Sequence, residues 1–393
     1  MKRLICVILI CVLVQIPTTA SAAEPQTMTF EAALERANQR DQQLSAMEDN
    51  AILLERDQRA VDRRANNLSV GPNYLWSLDY VIGWGSNFLT MQRADALSDR
   101  VQMENQIRRL DINRRLLREA NEMTLLGILA DIELARLDII MLEGLLNFEQ
   151  RQLELTEVLY SLGMADEASL RVARNDVAQT RLNLEAAKLS EDGHRLALNN
   201  FLGLAVTANV EITNLVWDQA DPVEADVHIR NIQRTSPAIM LARIDFDEAV
   251  LIQYIYDVLL ASSHRAPYYI RNYYPFEHFS WQEDSTPVIL LRNQVYSAQR
   301  AMHQELSNTA HQIRNLYNSL AQMQYTRDTA GINLYNARAD YQNLQIHYTV
   351  GMVARAQLEA AEMAILSHEI QLARLEINYG MLMQLYARPH FAR

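Results

Sequence analysis

Two short turns, set 188 residues apart (348 − 160) on matching amphipathic stretches, constrain this chain more than any other feature. Tyr160-Ser161-Leu162-Gly163-Met164 and Tyr348-Thr349-Val350-Gly351-Met352 share Tyr, Gly and Met in the same order. Upstream of the first runs a seam: Leu125, Ile128, Ile132, Ala135, Ile139, Leu142, Leu146, Glu149, Leu153, Thr156 and Tyr160. Its spacing alternates between three and four, the pattern of a helix packed along a coiled-coil partner. The same offset gives Ile313, Leu316, Leu320, Met323, Arg327, Ala330, Leu334, Ala337, Tyr341, Leu344 and Tyr348. Apart from Glu149, Thr156 and Arg327, both sets are apolar or aromatic. The phase survives the turn, because Leu170, Ala173, Val177, Leu184, Ala187 and Leu198 fall on Leu358, Ala361, Ile365, Leu372, Leu375 and Tyr386. Each half is therefore expected to hold a long helix, a sharp turn at Gly and a returning helix in phase with it.

The start of the chain reads as an export signal. Lys2 and Arg3 precede the apolar run Leu4 to Ile16, and Ala20-Ser21-Ala22 offers an A-x-A cleavage site. Thirteen residues fall short of the roughly 20 that a spanning helix needs. Cleavage after Ala22 leaves 393 − 22 = 371 residues and removes both Cys6 and Cys11. A mature chain without cysteine is held together by packing alone. Loss of Lys2 and Arg3 lowers Lys+Arg from 36 to 34 against 48 Asp+Glu, a net charge of −14, which disfavours nucleic acid as a partner. Gly (11) and Pro (9) are scarce, as long helices require.

Along the chain, a Thr ahead of Phe30, Ala33, Leu34 and Ala37 predicts an N-capped amphipathic helix. A second helix follows over 42–66. The period changes to two in 68–93, where Tyr74, Trp76, Leu78, Tyr80 and Ile82 alternate with other residues ahead of Gly83-Trp84-Gly85, predicting a strand hairpin. A helix of 68 residues is expected over 95–162, roughly 100 Å at about 1.5 Å per residue, too long for any solitary globule. The return covers 166–200. Residues 205–235 read as a linker with weak strand character at Val210 and Ile212. Helix 238–260, an aromatic and Pro-interrupted segment 264–287, helix 290–350 and return 354–386 repeat the plan. The expected organisation is a signal peptide 1–22, a first repeat 23–204 (hairpin 95–202), the linker 205–235 and a second repeat 236–393 (hairpin 290–386).

On these turns and seams the chain resembles the TolC-like outer membrane efflux protein family, from Phe30-x-x-Ala33-Leu34-x-x-Ala37 to Tyr386. That resemblance implies a mainly α fold in which duplicated coiled-coil hairpins form an α-barrel as a homotrimer. It also implies a strand pair inserted in each repeat, contributing to a barrel in the outer membrane. The turns would lie at the periplasmic end and meet a periplasmic adaptor (membrane-fusion) protein, which couples the duct to an inner-membrane pump. The family's contact positions carry over to Leu162, Gly163, Met164, Val350, Gly351 and Met352, beside Tyr160 and Tyr348. Read from the residues alone, Gly at such a turn permits φ > 0 and Met is a soft, adaptable apolar group; both features also suit a turn that merely packs on itself.

Two departures from the family stand out. Where it often carries two acidic residues after the second tip, this chain has Gln357 and Ala360, with Glu359 next door either lining the aperture or solvated. A membrane strand needs roughly 9–11 residues, so the strand segments are short. Either a reduced barrel carries Tyr74, Trp76 and Trp84 as interface aromatics, or the barrel is absent. Ten arginines near the strand end (Arg56, Arg59, Arg63, Arg64, Arg100, Arg108, Arg109, Arg114, Arg115 and Arg118) are either a collar for an anionic membrane or envelope surface or a solvated, ion-paired face.

No H-E-x-x-H, C-x-x-C, G-x-S-x-G, Walker or Rossmann pattern occurs. His303, His311, His347 and His368 lack companion carboxylates at ligand spacing, and Tyr379 reads as packing. The expectation is no enzyme, no cofactor and no metal. The function expected is a passive trimeric exit duct for drug efflux or type I secretion. The alternative is a structural or adaptor-like cell-envelope coiled coil without a conducting barrel.

Overall fold

Thr29 does cap the first helix: its hydroxyl oxygen accepts from the Ala32 N–H at 3.3 Å. The computed structural model describes residues 26–69, 85–213, 217, 220–263 and 286–392. In chain order these form β1 (Gln26–Thr29), α1 (Phe30–Arg40), α2 (Gln42–Ser69), α3 (Gly85–Ser161), α4 (Glu167–Leu202) and β2 (Val210–Thr213). Then come α5 (Ala225–Thr235), α6 (Pro237–Ser263), α7 (Thr286–Thr349), α8 (Arg355–Ala387) and a 3-10 turn, Pro389–Phe391. The fold is mainly α, with β1 and β2 pairing in parallel so that Gln26 faces Val210 and Thr29 faces Thr213. Among the described residues no helix is long and apolar enough to cross a membrane.

The duplication reaches further than the seams reveal. α1 and α5 are both 11 residues long, and each is followed after a single residue, Asp41 or Ser236, by the next helix. Asp41 accepts the Gln43 N–H at 2.8 Å and so caps α2, whereas Pro237 opens α6 with a ring that has no N–H to satisfy. The stretch read as a linker thus contains α5, the counterpart of α1. Each repeat has its own core beneath these short helices. The first gathers Ala33, Ala37, Leu125, Leu129, Ile132, Leu198 and Leu202; the second gathers Ile229, Ile313, Leu316, Leu320, Tyr379 and Tyr386. Leu125 and Ile313, Ile132 and Leu320, and Leu198 and Tyr386 are pairs at the repeat offset of 188.

α3 runs for 77 residues, roughly 115 Å at about 1.5 Å per residue. It starts at Gly85, ten residues before the expected point, so part of the segment 68–93 expected as strand is helical at both ends, in 68–69 and 85–93. Ala94 and Ala96 are already buried there, and no proline interrupts the run, so helical hydrogen bonding continues unbroken. α7 begins at Thr286, just inside the segment 264–287. The remaining residues of both strand segments, including Tyr74, Trp76 and Trp84, and the expected signal 1–22 lie outside the described residues.

The helices form a wall one layer thick. At one end α3 lies between α2 and α6, and α7 packs on the far side of α6; at the other end α3 lies between α4 and α8, and α7 packs on the far side of α8. Ion pairs mark the heights: Arg114–Glu48 and Arg64–Asp99 join α3 to α2, Arg109–Asp245 joins α3 to α6, and Lys188–Glu143 and Arg174–Glu157 join α4 to α3. Six of the ten arginines expected as a collar (Arg64, Arg100, Arg109, Arg114, Arg115 and Arg118) are engaged with carboxylates, five of them on a neighbouring helix and Arg115 with Glu119 one turn along α3. Arg109 shows the balance of forces: burial lowers its pKa, but Asp245 and Glu248 outweigh burial and raise it.

Candidate functional site: the helical tips and the inter-hairpin seam

Both hairpins turn by the same backbone device. At the first tip the Gly163 N–H donates to Tyr160 O at 3.0 Å and the Met164 N–H to Leu159 O at 2.8 Å. At the second, Gly351 N–H donates to Tyr348 O at 3.0 Å and Met352 N–H to His347 O at 2.9 Å. This is the Schellman motif, which satisfies two of the last carbonyls of a helix and needs a left-handed residue at its pivot. Gly163 has φ 71 and Gly351 φ 75. A Cβ built on either glycine meets open space, so glycine is required there by φ alone.

The side chains around the pivots are left uncovered. Met164 is 74% exposed and Met352 75%, with Leu162, Val350, Tyr160 and Tyr348 also exposed. Each tip thus presents an apolar knob of Leu or Val, Met and Tyr, and every sequence-predicted contact residue sits on it. The tips differ in how the return begins. Asp166 caps α4, accepting the Ser169 N–H at 2.8 Å, and that hydrogen bonding to Ser169 holds its pKa below the ordinary value. Ala354 stands at the equivalent place before α8 with no side chain to cap it.

From near the tips to Arg388, just past the end of α8, the two hairpins meet along α3 and α8. Glu122 pairs with Arg388 at 2.7 Å, Asp138 with Arg374, and Arg151 with Glu359 at 3.5 Å. The numbers fall on α8 by nearly as much as they rise on α3, as an antiparallel pair demands. Gly144 lies in the same register, and a Cβ there overlaps Leu366 Cδ2, so its lack of a side chain lets Leu366 reach the α3 backbone. Glu359 is drawn into this seam, its side chain 12% exposed between Arg151 and Arg355, while Gln357 and Ala360 are exposed. Sequence periodicity could not find these pairs, because they join residues more than 200 apart. Gly144, breaking an apolar run in the middle of a helix, was the one visible sign.

Further up the second repeat, aromatic groups strap the segment before α5 to α8. Tyr379 and Tyr386 donate through their hydroxyls to Ala220 O at 2.9 Å and Val223 O at 2.6 Å, and His228 stacks on the Tyr386 ring. Arg327, the odd residue of the second seam, lies 4.8 Å over the Tyr379 ring, a cation–π contact that explains its place.

No family model matches the chain and no curated protein matches it significantly. Solved structures do. A membrane protein from Pseudomonas aeruginosa superposes with a TM-score of 0.63 at 11% identity, over 91% of this chain and 89% of that one. The outer membrane protein VceC of Vibrio cholerae gives 0.56 at 14%, over 92% and 95%. This is the TolC-like outer membrane factor fold. The open state of the MtrE outer membrane channel of Neisseria gonorrhoeae shares it, at 0.54 and 13% identity over 91% and 88%.

Proposed function

We propose that three copies of this chain close into a hollow tube that serves as an exit duct in the outer membrane and periplasm. The observation that carries the reading is a second set of heptad positions, left without a partner on both edges of the wall. On α4 they include Val172, Leu182, Leu189 and Leu196, with Leu189 72% exposed; on α7 they include Tyr325, Ile332, Tyr335 and Ile346, with Tyr325 76% exposed. Leu182 and Ile332 each lie 19 residues from their tip glycine, so they stand level when the tips do. An edge that fits a different edge on the next copy is a heterologous contact, which builds a ring when its rotation closes. Burying these stripes removes from water the apolar area that a single chain leaves exposed.

In this reading the tube conducts passively for drug efflux or type I secretion, driven by an inner-membrane pump. The exposed knobs of Leu162, Met164, Val350 and Met352 meet a periplasmic adaptor. Opening proceeds by small rotations at the tips, where Arg151–Glu359 is the rung of the α3–α8 seam nearest the turn. Conductance of the purified mature protein in planar bilayers tests the proposal. Stable unitary currents are expected; a monomer by crosslinked mass with no conductance would leave an envelope spacer as the better account.

A further inference from the structure

The α2 and α7 edges change character away from the tips. On α2, Ile52, Arg56, Arg59 and Arg63 are spaced four, three and four apart and form one exposed stripe. None of these three arginines has a carboxylate partner among the described residues, although Glu55 borders the stripe and Asp57 lies on the other side of the helix. On α7, Arg292 and Arg300 are exposed and likewise without a carboxylate partner among the described residues, and the stretch 286–304 contains no Asp or Glu at all. Exposed apolar groups interleave with them: Leu53 on α2 and Ile289, Leu290 and Tyr296 on α7.

The stripes share a height. Arg64–Asp99 and Arg114–Glu48 bracket the α2 stripe against residues 99–114 of α3. Ile289 to Arg300 match residues 101–112 of α3 at the repeat offset. When copies close into a ring, the α2 edge of one faces the α7 edge of the next, and at this end arginines meet arginines. A protein of net charge −12 has carboxylates to spare, yet places none on α7 here. An anion supplied from outside would relieve the repulsion along such a seam.

We propose that the ends of the α2 and α7 edges remote from the tips seat the phosphate headgroups of anionic phospholipid, with the neighbouring apolar groups against the acyl boundary. The interleaved Ile, Leu and Tyr favour a lipid surface over an anionic wall polymer, which offers nothing apolar to cover them. The proposal rests on the ring only for bringing the two edges together.

The test is flotation of the full mature protein with vesicles of pure phosphatidylcholine or with added phosphatidylglycerol, at low and high salt. Crosslinked mass is read in parallel, so that failure of the ring and failure of the lipid seat are told apart. Binding is expected to favour the phosphatidylglycerol vesicles and to weaken with salt. Each arginine at an anionic surface contributes about five-fold, so R56Q/R59Q/R63Q is expected to lower partition on the order of a hundred-fold. Helical content and trimer mass should not change, and R292Q/R300Q should act in the same direction. Equal flotation with both vesicle types, an unaffected triple variant, or competition by inorganic phosphate alone at millimolar concentration would overturn the lipid seat. So would retention on purified wall polymer without vesicle binding.

Discussion

Replacing Gly144 with alanine sets two effects of opposite sign against each other. Inside a helix the change gains about 1 kcal/mol of propensity. Against it stands the seam, where the new Cβ overlaps Leu366 Cδ2 while Met363 Sδ stays at an ordinary 3.6 Å. Only the end of one flexible side chain must move, and overpacking of this kind costs about 1–3 kcal/mol. The net expectation for Gly144→Ala is a loss of about 0–2 kcal/mol. In a Leu366→Ala background the overlap vanishes, so the same substitution should stabilise by about 1 kcal/mol. Urea unfolding of the four proteins of this cycle reads a coupling of about 1–3 kcal/mol. If Gly144→Ala stabilised equally in both backgrounds, α8 would not lie on α3 as described, and the inter-hairpin seam would be refuted.

Other expectations follow from single contacts. Gly163→Ala and Gly351→Ala each force a left-handed φ and should cost about 1–2 kcal/mol, seen as faster amide exchange at the altered tip and no change at the other. Tyr379→Phe and Tyr386→Phe each remove one hydrogen bond from a backbone carbonyl and should lower stability by about 0.5–1.5 kcal/mol in thermal melts. Gly380→Ala should act on the same strap more strongly, since its Cβ would lie 2.8 Å from Trp217 Cβ. His390 gives a pH dependence. Burial pushes its pKa below 6.5, with Arg115 and Arg388 in the same direction, and this outweighs the pull of Glu119 at 3.1 Å, a carboxylate already paired with Arg115. A depressed pKa means that the neutral ring is the docked form, so its contribution is complete above pH 6.5 and declines as pH falls below that. Protection of the amides over 386–392, taken relative to their intrinsic exchange rate at each pH, should therefore fall on acidification, and His390→Gln should flatten that response.

Much of this architecture was readable because heptads are local. Seam residues such as Leu125, Ile132, Ile313 and Leu320 bury as their spacing implied, and the shared Gly-Met turns gave the fold-back points. Three things escaped that reading for physical reasons. α5 is too short to show more than a turn or two of periodicity, so only its likeness in length and position to α1 identifies it. The start of α3 was hidden because Gly83-Trp84-Gly85, coming after the alternating residues 74–82, reads as a hairpin turn and so makes 85–93 the expected second strand. The pairing of Asp138 with Arg374 and of Arg151 with Glu359 depends on how two hairpins sit side by side, which no spacing within one helix encodes. Among the candidate site residues, the tip set stands together and exposed, whereas Glu359 parts company with Gln357 and Ala360 by turning into the seam.

The central claim is that the α4 edge of one copy seals against the α7 edge of the next. Cys6 and Cys11 are the chain's only cysteines and lie in the expected signal, so L182C/I332C introduces the sole thiols of the mature protein. Oxidised and run on a denaturing gel, it is expected to migrate as a closed covalent trimer, with each single variant remaining monomeric. Product that stops at the dimer, or no crosslinked product under conditions where the single thiols react freely, would contradict the ring.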